Sequence, residues 1–220
     1  MGLWQIKDES VCYYAKKQGM EFRLIYDGGL LKSSSAKNRR PWEKHSIRRH
    51  LHPQLKKLWE VHPALRSYAA RTVEERDKPP RKFMDSLAQA NQQGDTGFIP
   101  LITAPNGLMC ELDILLLRPE RPGHLIDKSG DIDNRMETLL DALRIPDSAG
   151  EIARRITDEP DPNPMYCLLQ DDNLITGFRV TTDFLLLPID DAHAQNYAVA
   201  VITVRTSNVD PFGSPWELHL

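Results

Sequence analysis

The spacing of apolar and polar positions changes several times along the chain, and each change marks an element. Glu21-Phe22-Arg23-Leu24-Ile25-Tyr26 partly alternates, which predicts a first strand broken by Asp27-Gly28-Gly29. Leu55, Leu58 and Trp59 follow helical spacing, as do Phe83, Met84 and Leu87 beyond the Pro79-Pro80 break. Two apolar runs, 98–102 and 109–117, flank the turn signal Pro105-Asn106-Gly107 and predict an antiparallel hairpin. Met136, Leu139, Leu140 and Leu143 recur at i, i+3, i+4 and i+7, the stripe of a helix over 134–143. Asn134 is its expected N-cap, and Glu137 three residues on completes a capping box. Residues 165–169, the turn Asp171-Asp172-Asn173 and the run 174–187 predict two paired strands, and 197–204 a last one.

Strands and helices in this order predict an α+β fold, a mixed β-sheet flanked by helices. Residues 1–19 read as an N-terminal extension to a domain over 20–220, a length that supports one well-buried core. Prolines 146, 160, 162 and 164 bracket a surface insertion over 145–166, with a short helix around 151–156.

Charge adds an asymmetry that the periodicity does not show. Residues 1–110 hold 19 Lys/Arg against 11 Asp/Glu, a balance of +8, whereas residues 111–220 hold 9 against 20, a balance of −11. Lys37, Arg39, Arg40, Lys44, Arg48 and Arg49 fall within the stretch 32–57, where Glu43 is the one opposing charge. Such a stretch attracts a phosphate backbone, with Trp42 placed to stack on a base; a solvated basic loop leading into a helix around 54–61 is the competing account. Cys12, Cys110 and Cys167 are widely spaced in no metal or disulfide pattern, which predicts reduced thiols. The opening MGLWQIKDES has no signal-peptide pattern, Ile6 fails the myristoylation signal, and no apolar run reaches membrane-spanning length. The sequence therefore predicts a soluble cytoplasmic protein without membrane attachment.

Candidate chemistry centres on two acidic pairs. Asp131 and Asp133 lie at the start of the 134–143 helix, where the positive end of the helix dipole favours carboxylates, and Asp171 and Asp172 precede a strand. Crowded carboxylates disfavour joint ionisation unless a cation offsets them, and hard oxygen donors suit Mg²⁺ or Mn²⁺. Without a cation, the same residues serve as turn and cap residues. Asp113, inside the second apolar run, is expected to face solvent.

The run Gly130-Asp131-Ile132-Asp133-Asn134, then Leu139-Leu140-Asp141-Ala142-Leu143, then Asp171-Asp172 before a strand resembles the RusA-type Holliday junction resolvases. The matching stretch covers residues 130–180. The resemblance implies a homodimer that binds a four-way DNA junction in recombination and repair, commonly phage-borne, with aspartate-held Mg²⁺ supporting paired nicks that leave 5′-phosphate and 3′-hydroxyl ends. By position, Asp131, Asp133 and Asp172 are the implied catalytic and metal-binding carboxylates, Asp171 is an additional member, and Asp141 is a supporting acidic position. Two departures stand out. Glu137 occupies the place of a family lysine, which leaves three readings: a capping residue, an added ligand, or the mark of a weakened nuclease. Lys128 could supply the missing cation. The segment before Asp171 is also longer than the compact family pattern. A DNA-binding protein without cleavage and a hydrolase of small phosphate compounds are the alternatives to the endonuclease.

Overall fold

The computed structural model describes residues 19–30, 40–74, 79–119, 131–152, 160–189 and 196–208, with the side chains of Arg40 and Asp131 outside that set. The fold is α+β, with helices packed on sheets that contain both parallel and antiparallel pairs. Among the described residues the strands are β1 (Glu21–Gly29), β2 (Thr72–Val73), β3 (Arg81–Lys82), β4 (Gln92–Gln93), β5 (Thr96–Ile102), β6 (Leu108–Arg118), β7 (Met165–Leu169), β8 (Ile175–Phe184) and β9 (Tyr197–Asn208). The α-helices among the described residues are α1 (Arg40–Val61), α2 (Pro63–Ala69), α3 (Phe83–Ala90) and α4 (Asp131–Leu143).

The main sheet has the order β1-β9-β6-β8, in which β9 runs antiparallel to both neighbours and β8 runs parallel to β6. A parallel pair needs a crossover, and α4 lies in the connection between β6 and β8. Strict alternation gives β6 one apolar face: Leu108, Cys110, Leu112, Ile114 and Leu116 are buried, while Glu111 and Leu115 are exposed. Ala198, Ala200, Ile202 and Val204 of β9 continue that face, and Leu24 and Tyr26 extend it onto β1. A second sheet, β4-β5-β7, joins the antiparallel β4–β5 pair to a parallel β5–β7 pair.

Several expectations change here. The first strand runs on through Asp27-Gly28-Gly29, because Gly28 and Gly29 pair with Ala198 and Tyr197. A Cβ at Gly28 would lie 2.8 Å from the Tyr26 hydroxyl, which itself donates to Gly29 O. The predicted β5–β6 hairpin does not form. A 3-10 turn over Ala104–Asn106 with Gly107 at φ 62° sends the two strands into different sheets, and β5 is buried nearly throughout, as a strand covered on both faces must be. Strands β7 and β8 likewise do not pair with each other; β7 joins β5 and β8 joins β6.

Helix α1 begins at Arg40, so much of the expected basic loop is helix. Its core stripe is Ile47, Leu51, Leu55 and Trp59, buried residues four apart that turn one face inward despite the surrounding cations. Helix α4 begins at Asp131, which places Asn134 inside the helix and removes the capping box. The start moves upstream because Ile132 already packs against the core; Met136, Leu139 and Leu143 are buried as the stripe requires. Asp113 is half-exposed on the outer sheet face near Arg205, as expected from alternation. The 145–166 insertion contributes a 3-10 turn over Ala149–Glu151, and the rest of its expected helix lies outside the described residues.

Candidate metal and phosphate site

Helix α4 carries Asp133, Glu137 and Asp141 at i, i+4 and i+8, a spacing that puts all three on one face. With Asp172, they line a cavity of about 540 Å³ whose remaining walls are Ile132, Met136, Leu140, Phe178 and Val180. Acidic residues come from α4 and from the turn before β8, and the apolar residues come from α4 and β8 themselves. Asp133, Glu137 and Asp172 are exposed.

Each acidic position has its own local cause. Asp171 caps the 3-10 turn Asp172–Leu174, its Oδ1 accepting from Asn173 N–H at 2.9 Å, and it does not line the cavity. That turn aims the chain so that Asp172 reaches the cavity while Leu174 enters the core. Asp141 is only partly exposed and is already balanced: Lys44 Nζ pairs with its Oδ2, and Arg144 Nη2 approaches its Oδ1 at 3.3 Å. Arg144 also forks onto Asp147, with Nη2 to Oδ2 at 2.8 Å. This contact holds the Asp147 carboxyl below its ordinary range and Arg144 above its own.

Three α1 cations, Lys44, Arg48 and Arg49, have partners within the fold, whereas Lys56 and Lys57 are exposed. Arg48 is 1% exposed; its Nε donates to Arg144 O at 3.0 Å and its Nη2 to Asp141 O at 2.8 Å. It thereby satisfies carbonyls left over at the C-terminal end of α4. Burial pulls its pKa down from the ordinary arginine value, opposed by Glu151 nearby. Arg49 Nη1 approaches Asp161 Oδ1 at 3.4 Å, and buried His45 reaches the same oxygen through Nε2 at 3.0 Å. Lys44, Arg48 and Arg49, expected to meet phosphate, thus each take part in an internal pair. Lys37, Arg39 and Lys128 lie outside the described residues, as do the side chains of Arg40 and Asp131.

The donor set fits a divalent cation in kind. Asp133, Glu137 and Asp172 offer hard oxygens, and no salt bridge to these three occurs among the described residues. Among the described residues, no three His, Cys, Asp or Glu side chains stand close enough to hold a metal ion. Asp131, the first residue of α4, is the remaining α4 carboxylate of the expected set, and its side chain lies outside the described residues. Sequence reasoning missed the cavity's apolar wall and the partners of Lys44, Arg48 and Arg49. The carboxylate stripe Asp133-Glu137-Asp141 was open to a helical reading of spacing alone. The cation partners had no local signal, since they lie far along the chain.

The two thiols described are buried and unpaired. Burial pushes Cys110 and Cys167 each up to about 12, which keeps them neutral and unreactive. No helix among the described residues is long and apolar enough to cross a membrane. Comparison with family models, curated proteins and solved structures finds no match for this chain.

Proposed function

We propose that the protein is a Mg²⁺-dependent, structure-selective endodeoxyribonuclease acting on branched DNA, resembling the RusA-type resolvases. The observation that carries this reading is the convergence of Asp133 and Asp172, distant in sequence, on one cavity. When bound, a divalent cation supplies charge to offset the scissile phosphate and lowers the pKa of the attacking water. The protein's own residues have separate tasks. Asp133 and Asp172, with Asp131, anchor the cation; Asp141, fixed by Lys44 and Arg144, braces the helix that carries them. Lys37, Arg39 and Arg40 are the remaining candidates of the basic stretch for holding backbone phosphate.

The test is cleavage of a synthetic four-way junction by the full chain with Mg²⁺ or Mn²⁺. Asp133→Asn and Asp172→Asn should each abolish nicking while junction binding persists. Full cleavage by both variants would falsify the site.

A second reading is favoured by Glu137, which lines the cavity where the resemblance asks for a lysine. On that reading the chain binds junctions without cutting them. It predicts binding but no nicks in the parent chain and none in Glu137→Lys, whereas the nuclease reading predicts nicks that Glu137→Lys accelerates.

A further inference from the structure

Strand β8 carries an extra residue where it meets β6: Ile175 lies opposite Cys110, but Gly177 lies opposite Glu111, so Thr176 is bulged. The Thr176 Oγ1 donates to Cys110 O at 3.1 Å, which fastens the bulge to the neighbouring strand. Bulges are rare in parallel pairs, and beside functional sites they re-aim the side chains that follow.

This bulge turns Phe178 to the helix side of the sheet. Phe178 pairs with Leu112 and Val180 with Ile114, and residues paired across strands share a face. Without the extra residue, alternation would put Gly177 and Arg179 on that face and Phe178 on the outer one. Leu112 and Ile114 are 2% and 0% exposed, whereas Phe178 is 57% exposed. An aromatic ring thus stands open on the face that elsewhere forms the core, and it lines the cavity with Asp133, Glu137 and Asp172.

Open ring and carboxylates suit the two ends of one nucleotide. The carboxylates address its phosphate through their cation, and Phe178 offers a flat apolar face to its base. A cavity of about 540 Å³ has the size of a small-molecule site, enough for a single base. A base inside a duplex is stacked on its neighbours, and the cost of freeing it is least where it is already unpaired. We propose that Phe178 stacks on an unpaired nucleobase next to the cut phosphate, so that the preferred substrate is branched DNA with unpaired nucleotides at the branch. This inference rests on the endonuclease reading and names the kind of branch its site takes.

Three four-way junctions test it with the full chain: one fully paired, one with two unpaired nucleotides at the branch, and one with those two made abasic. Affinity is measured with Ca²⁺ and nicking with Mg²⁺, with circular dichroism to verify folding. The parent should bind the unpaired junction about tenfold more tightly than the paired one, and abasic nucleotides should remove that advantage. Phe178→Ala should bring the ratio to about one, while Phe178→Trp, which keeps an aromatic face, should preserve it. With Ca²⁺, 5-iodouracil at the unpaired position should photo-cross-link to Phe178. Equal affinity for paired and unpaired junctions, an advantage that survives abasic nucleotides or Phe178→Ala, or cross-linking only elsewhere overturns the proposal, and nicks by the parent in Mg²⁺ then leave the endonuclease reading standing. A cross-link at Phe178 without nicks supports the stacking and counts against cleavage. A chain that binds none of the three junctions overturns both.

Discussion

Histidine 52 shows how one side chain ties a helix to a strand. Its Nδ1 accepts from Tyr166 N–H at 2.9 Å, with the two rings edge to face. Accepting that bond requires an unprotonated Nδ1. Burial, and then Lys56, lowers the His52 pKa. A lowered histidine pKa means the unfolded chain takes up the proton first, so this stabilisation is present above about pH 6.5 and is lost as pH falls through the folded value. Urea midpoints should therefore drop between about pH 7.5 and about pH 5.5, and His52→Asn, whose oxygen accepts without titrating, should flatten the profile. An equal drop in both proteins would remove His52 from the account. Arg48 is a second residue whose worth lies in what it would leave behind. Arg48→Met strips Asp141 O and Arg144 O of their donor and leaves Glu151 without its cation, and the expected loss is about 3 kcal/mol in unfolding free energy by urea titration.

Helix α1 works as an element on two sheet margins, through His52 on β7 and Gln54 on β1. Gln54→Ala should cost about 1 kcal/mol and speed amide exchange at Ile25, while exchange in the centre of β6 stays slow. Uniform acceleration across the sheet would instead indicate global loosening. The inward face of α1 was legible in principle, since Ile47, Leu51, Leu55 and Trp59 keep a four-residue step, but the dense cations around them read as a loop. Helix α4 and strand β6 were legible because their periods, 3.6 and 2, follow from how side chains leave the backbone. Pairing was not. Local period says which face of a strand is apolar and nothing about which strand lies beside it, so β5 was assigned to β6, its neighbour in sequence, when its partner β7 lies beyond α4. The candidate site divides the same way: the residue types at Asp133 and Asp172 were readable, and their convergence with Phe178 and Val180 needed the β6–β8 pair to form.

Across the whole molecule, the charge split of +8 and −11 is partly consumed within the fold. Lys44 meets Asp141, Arg48 lies near Glu151, and Arg49 approaches Asp161, each pair joining the basic half of the chain to the acidic half. These three cations are engaged within the fold, and on the proposed reading Lys37, Arg39 and Arg40 are the candidates to meet phosphate. This division is measurable through salt dependence, because each phosphate neutralised releases counterions and steepens the fall of affinity with salt by about 0.9 in the log–log slope. Replacing Lys37, Arg39 and Arg40 together with Gln should lower junction affinity and make the slope shallower by about 2–3. Replacing Lys44 and Arg49 with Gln should leave the slope within error of the parent while lowering the unfolding midpoint, since those charges are spent on Asp141 and Asp161. Fluorescence anisotropy of a labelled four-way junction over a salt series, with urea melts of the same proteins, separates the two roles. If the Lys44 and Arg49 variant changed the slope and the triple variant did not, the basic face of α1 itself would be the phosphate contact, and the internal pairs would have to open when DNA binds.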